Sequence, residues 1–126
     1  MFSHIMIGTN DVDRAKSFYD TVLGTLGAPG GFVDGERVFY MHDGGVLGVT
    51  KPIDGETATH ANGGTIGFRC SSPEQVEAFH KAGVAAGGKS IEDPPGLREG
   101  GNFGPMYLAY LRDPDGNKLC AFHRPG

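Results

Sequence analysis

The chain of 126 residues contains no hydrophobic run long enough to span a bilayer, so no transmembrane helix and no membrane partner are expected. Cysteine is scarce. Cys70 and Cys120 stand far apart without metal-type spacing, which removes a zinc motif and leaves two thiols, not a disulfide, in a reducing compartment. Cations are few, 11 Lys and Arg against 15 Asp and Glu for a formal net charge of -4, and they form no cluster along the chain. Without such a cluster the counterion-release term that supplies most nucleic-acid affinity is missing, and no nucleic-acid partner is expected. Residues 1 to 8 carry neither a basic residue nor a cleavage-like tail of small residues, so they read as a first strand and not as a secretion signal. A cytoplasmic protein is expected.

What is present is ordinary for a globular domain: 38% hydrophobic and 21% charged residues, in a length that buries roughly two thirds of the surface of the unfolded chain. The 22 glycines are interleaved with aromatic and aliphatic residues, a pattern of sharply bent strands and tight turns and not of disorder.

Residues 2 to 7 are apolar and β-leaning. They are followed by Asn10 or Asp11 as a helix cap, by Val12, Ala15, Phe18 and Val22 at helical spacing, and by Gly24 as a stop. "TIGFRC" (65 to 70) is again a strand, and "SSPEQVEAFHKAGVAAGG" (71 to 88) is again a helix. Ser72 and Gln75 form a capping box there, with Pro73 at the first helical position. Pairing each residue with the one 61 positions later sets Ile5 on Ile66, Ile7 on Phe68, Asp13 on Glu74, Phe18 on Phe79 and Tyr19 on His80. Three strand-like pieces follow each helix, near 31–34, 36–42 and 45–51, then near 88–92, 105–112 and 117–123. The last two of each set are joined by glycine turns, "HDGG" and "DPDGN". The chain is therefore βαβββ twice. A unit of about sixty residues is marginal alone, so the two sheets are expected to join and share a concavity.

The stretches "HIMIGTNDVDRAKSFYDTVLG" (4 to 24), "SPEQVEAFHKAG" in the second helix and "YLRDPDGNKLCAF" (110 to 122) resemble the vicinal oxygen chelate superfamily, the group of glyoxalases, bleomycin-resistance proteins and extradiol dioxygenases. The resemblance covers essentially the whole chain. It implies an α+β fold in a single domain, with two tandem βαβββ modules (about 1–55 and 62–126) forming a cupped mixed sheet with helices on the outer face. It also implies a homodimer, the cup being completed by modules of one chain or of two. Metal-dependent members hold a divalent ion with one residue from the first and one from the last strand of each half, typically His and Glu. Carried over, those positions are His4, Thr65, Cys120 (where the family's DPDGxxxE has its carboxylate) and Gly48. One good ligand of four is left, so neither a catalytic metal nor another cofactor is expected. The alternative is zinc, nickel or manganese on His4 together with His42 or Cys120.

Strand alternation puts Ile5, Ile7, Ile66, Phe68, Leu119 and Ala121 against the helices, and His4, Met6, Thr65, Gly67, Arg69 and Cys120 in the cup. Cys70 then lies under a helix as an inert core thiol. Tyr110 is expected beside Cys120 across the hairpin, and it matches a ligand-contacting tyrosine of the fosfomycin-resistance branch. Arg69 can fork onto a carboxylate or phosphate. Residues 91 to 107 read as an irregular Pro/Gly loop, placed to act as a lid with Arg98 and Phe103. His60, His80 and His123 read as exposed, without partners.

The leading functional expectation is a small-molecule-binding protein with a degenerate metal site. One alternative is a metal-dependent lyase or isomerase of the glyoxalase type. Another is a metal-free enzyme using Cys120, its thiol activated by His4 and assisted by Tyr110.

Overall fold

The computed structural model describes residues 1–125. The first module runs β1 (Ile5–Gly8), α1 (Val12–Gly24), β2 (Phe32–Asp34), β3 (Arg37–His42) and β4 (Gly45–Thr50). The second runs β5 (Ile66–Arg69), α2 (Pro73–Ala85), β6 (Lys89–Arg98), β7 (Met106–Arg112) and β8 (Lys118–His123). The repeat holds residue for residue: β5 and α2 begin and end 61 positions after β1 and α1. Each module is a four-stranded mixed sheet, ordered β1-β4-β3-β2 and β5-β8-β7-β6, in which the first strand pairs parallel with the last and the others are antiparallel.

The local signals act as their chemistry requires. The Asp11 carboxylate accepts the Arg14 N–H at 3.0 Å and starts α1. Ser72 Oγ accepts the Gln75 N–H at 3.1 Å and starts α2. The capping box closes one residue early, since Gln75 Oε1 takes the N–H of Ser71, and the Gln75 amide group reaches across to Thr25 O at the end of α1. In the β3–β4 turn Asp43 and Gly44 both have positive φ, 51° and 80°, as a two-residue hairpin loop demands.

Both modules feed one core. Phe18, Tyr19 and Val22 of α1, Val76 and Phe79 of α2, Val38 and Val49 of the first sheet, and Leu111 and Leu119 of the second are all buried together. The helices cross where Val22 meets its repeat partner Gly83: a Cβ on Gly83 would stand 2.3 Å from Leu111 Cδ1 and 3.4 Å from Val22 Cγ2, so glycine permits the approach. Within one chain no ladder runs between the two sheets among the described residues, and the modules meet through their helices. The reason lies in the alternation of the strands. Their most apolar faces are the helix-facing ones, and placing these back to back buries both at once. Each sheet keeps its other face outward, and β1 and β5 remain edge strands.

A polar clamp fixes the modules to each other. Asp113, at the start of the DPDGN turn, accepts bonds from Tyr19 Oη at 2.6 Å and from Asn117 Nδ2, Asn117 N and Asp115 N at 2.9 Å each. Asp115 accepts from Thr9 Oγ1, from Asn10 N and from Arg14 Nη2 at 2.8 Å, beside the N-terminus of α1. Asn117 donates to Gly8 O at the end of β1. The motif read as hairpin chemistry is also the bond between the two halves.

One expectation needs correction. Much of the segment taken as irregular loop is strand: β6 continues to Arg98, pairing Ile91 with Tyr110 and, after a bulge, Gly96 with Leu108. A bulge absorbs the Pro and Gly residues that argued against pairing. Beyond it only Gly101–Phe103 forms a short 3-10 turn.

Candidate functional site

The outward face of the first sheet carries the cross-strand row Met6–Gly48–Phe39–Phe32. A side chain at Gly48 would collide with Met6, whose Sδ lies 2.2 Å from the Cβ position, so the thioether lies across the glycine. The Phe32 and Phe39 rings are 6.4 Å apart. Met6, Phe32 and Met41 are exposed and make this part of the face apolar, with Asp34 and Arg37 at its far end. His4 precedes β1 on the same face by alternation, exposed, with its Nδ1 2.7 Å from Ser3 Oγ.

The repeat-equivalent row of the second sheet is Gly67–Cys120–Tyr110–Ile91. Here chemistry replaces grease. Cys120 is 6% exposed, and burial pushes its thiol up to about 11, while the neighbouring Tyr110 hydroxyl acts in the opposite direction. Tyr110 is itself raised, by burial and then by Cys120 and Glu92. Lys118 Nζ sits 4.7 Å over the Tyr110 ring and is salt-bridged to Glu92. Glu92 reaches it from the β6 bulge with φ of 61°, a backbone conformation rare for a residue with a side chain. Gly67 leaves open space beside Cys120.

Cys120 and Tyr110 are therefore direct neighbours, with Arg69 exposed on the same sheet and Thr65 exposed just before β5. His4 and Met6 lie on the other sheet, so within one chain no imidazole stands against Cys120. His42 and His4 are separated by the first sheet itself: His42 shares the parity of helix-facing Tyr40, and His4 that of outward Met6. Arg98 is held to its own strand through Asp93 O and Pro94 O, and Phe103 is 75% exposed.

The donors at the four family positions do not fit a divalent ion. They are one imidazole, one hydroxyl, one thiol kept protonated by burial, and a glycine overlaid by a thioether. Among the described residues no three His, Cys, Asp or Glu side chains gather in one place.

Two histidines need correction. His80 is half-buried with Nε2 2.9 Å from Ser90 Oγ, and the His123 ring is 3.1 Å from Cys70 O; neither signal is visible along the sequence, because Ser90 lies on β6 and Cys70 just after β5, each outside the element that carries the histidine. His60 is exposed. Cys70 is buried, its thiol raised by burial as a core thiol's is. Lys118, Glu92 and Arg112 escaped the sequence reading. Carrying the period-2 pattern of Tyr110 and Cys120 two residues along each strand would have found Arg112 and Lys118; Glu92 depends on the bulge. A cavity of about 260 Å³ opens between the modules, floored by Ile5, Leu23, Leu47 and Phe68, rimmed by His42 and Asp43, and reaching Gly67 and Arg69 at the β5 edge.

Comparison with known proteins extends these observations. The family model described as "Glyoxalase/Bleomycin resistance protein/Dioxygenase superfamily" matches residues 1–121. A crystal structure of a glyoxalase/bleomycin resistance protein from Albidiferax ferrireducens T118 superposes with a TM-score of 0.95 at 56% identity, covering 98% of this chain and 99% of that one. The fold is shared at lower identity by a glyoxalase/bleomycin resistance protein/dioxygenase family enzyme from Burkholderia phytofirmans PsJN (19%, TM-score 0.73, 96% of each chain). It is shared as well by the fosfomycin resistance protein FosX from Mesorhizobium loti (13%, TM-score 0.71, 99% and 92%). No curated protein matches the sequence.

Proposed function

The chain belongs to the glyoxalase/bleomycin resistance protein/dioxygenase superfamily, and from that premise we propose that it is a cytoplasmic homodimer binding a small organic molecule in a cup, without a catalytic metal. The cup is walled by the first module of one copy and the second module of the other. One observation carries the reading. The two sheets of a chain turn their candidate faces outward with β1 and β5 as open edges, so a single chain presents two half-sites and no whole one. Exposed Met6, Phe32 and Met41 on one half, and Phe103 next to the other, are the apolar surface a second copy and a ligand would cover. Pairing β1 of one copy beside β5 of the other brings His4 toward Cys120 and Tyr110 only across the interface. Among the described residues no helix is long and apolar enough to cross a membrane, and both thiols are free, which supports the compartment assigned.

Light scattering is expected to give twice the 13.3 kDa of one chain. A thermal-shift screen over divalent ions, glutathione conjugates and aromatic antibiotics is expected to respond to the organic compounds and not to the ions. Stoichiometric nickel, zinc or manganese in protein purified without chelator, lost in His4→Ala, would replace this reading with a metal-dependent lyase or isomerase. Dicarbonyl turnover abolished by Cys120→Ser would replace it with a thiol enzyme, which the raised thiol argues against. A monomer would remove the cup.

A further inference from the structure

The outward face of the second sheet gathers charge that the sequence keeps apart. Cross-strand register puts Lys89, Arg112 and Lys118 in one row, then Ile91, Tyr110 and Cys120, then Leu108, Phe122 and Arg69, and finally Arg98 beside Met106. Arg124, with its guanidinium 5.5 Å from the Phe122 ring centre, extends the last row. Six of the chain's eleven Lys and Arg residues thus stand on one face of a protein whose net charge is -4. Among the described residues Glu92, on Lys118, is the one carboxylate salt-bridged to any of the six. The cations form two ends, and between them lie the half-buried rings of Tyr110 and Phe122, one row apart, with Leu108 buried beside them. Successive rows on one face of a strand are about 7 Å apart.

Such an arrangement works against the fold. Like charges directly opposite on neighbouring strands destabilise a sheet, and Lys89, Arg112 and Lys118 are consecutive cross-strand neighbours. Their repulsion is only partly answered, by Glu92 held at positive φ and by Gly116 O, which accepts from Arg112. Arg69 is exposed and has no side-chain bond within the chain among the described residues.

From this distribution we infer that the cup takes a small organic anion, its apolar body lying against half-buried Tyr110 and Phe122 with its carboxylate or phosphate among the cations at one end of the face. The inference rests on the cup reading above and adds the ligand class. Its charge complements the face and relieves the cross-strand repulsion, while the apolar row Met6–Phe39–Phe32 of the other half-site suits the opposite side of the same body.

The test uses isosteric probes on the dimer by calorimetry: 2-naphthoate and the neutral 2-naphthamide, with a twenty-residue oligothymidylate as a third arm. Naphthoate is expected to bind at least tenfold more tightly than the amide, the difference shrinking as salt rises from 50 to 500 mM. Arg69→Gln or Lys89→Gln, both exposed and checked for folding by circular dichroism, is expected to erase most of that preference; which one does so locates the charged end. Equal binding of the two probes overturns the anion class and leaves the cup standing. A preference untouched by either variant also overturns it. Binding of neither probe by a confirmed dimer removes the cup reading too. Tight, salt-dependent binding of the oligothymidylate in place of naphthoate assigns the face to single-stranded nucleic acid and overturns the proposal.

Discussion

The two modules are built on one backbone plan, with opposite solutions at equivalent positions. In the first, the outward row is Met6, Gly48 and two phenylalanines, and the buried phenol of Tyr40 bonds to its own helix at Asp20 and Lys16 O. In the second, the row is Gly67, Cys120 and Tyr110, ringed by cations, and the turn aspartates bond to the helix of the other module. The first module satisfies itself and offers apolar surface. The second supplies both the inter-module clamp and the polar chemistry. A duplicated fold tolerates this division because the packing that holds each module together uses only the helix-facing side chains, leaving outward positions free to differ.

Equalising the two turns should give the largest effect. Asp113→Ala orphans a buried Tyr19 hydroxyl and several N–H groups, so unfolding in urea is expected to show a loss of about 3 kcal/mol. Asp43→Gly in the first module's exposed turn, at φ 51°, is expected to change stability by less than about 0.5 kcal/mol. Similar losses in both would erase the asymmetry. Next comes the helix crossing. Gly83→Ala forces a methyl to 2.3 Å from Leu111 Cδ1, and overpacking outweighs alanine's helix preference to leave a net cost of about 1 kcal/mol. A gain in stability would mean that Leu111 yields and the crossing is loose.

The third test asks how far the second face can be made to resemble the first. Alkylation of Cys120 near neutral pH, followed by peptide mass spectrometry, is expected to run on the order of tenfold slower than an unperturbed thiol and to accelerate toward pH 11. Gly67→Met, copying Met6 over Gly48, should slow it further. A fast reaction at pH 7 would contradict the buried, protonated thiol. The smallest effect compares the repeat partners Tyr19 and His80. Burial holds His80 below its ordinary value, so the unfolded chain binds the extra proton first. The stabilising contribution is present above the unfolded value near 6.5 and is lost as pH falls through the lower folded one. His80→Gln is expected to flatten the stability profile there, and an unchanged slope would exclude His80 as its source.

Much of the fold was legible because it is local. The offset of 61 residues, the Asp11 and Ser72 caps, the glycine turns and the helix-facing apolar positions all follow from neighbours along the chain. The site was legible only within the second hairpin, where Tyr110 opposite Cys120 follows from the turn between them. The Ser90 partner of His80, the reach of Asp115 to Arg14 and the strand character of residues 91 to 98 were not, since each depends on a strand or helix distant in sequence or on a bulge that resets the alternation after Ile91. The bulge sets five steps of β6 (Ile91 to Gly96) against two of β7 (Tyr110 to Leu108), and an odd number of extra residues exchanges the two faces of a strand, so no pattern along β6 alone can carry its second half.

What the sequence by itself determined is the pair of βαβββ units and which side chains look toward a helix, because hydrophobic periodicity and capping act over a few residues. That the two sheets stand back to back, so that His4 and Cys120 face apart, and that cations scattered from Arg69 to Arg124 assemble on one surface, was decided only in three dimensions. Burial of the two helical faces against each other dictates the first, and the pairing of strands distant along the chain dictates the second.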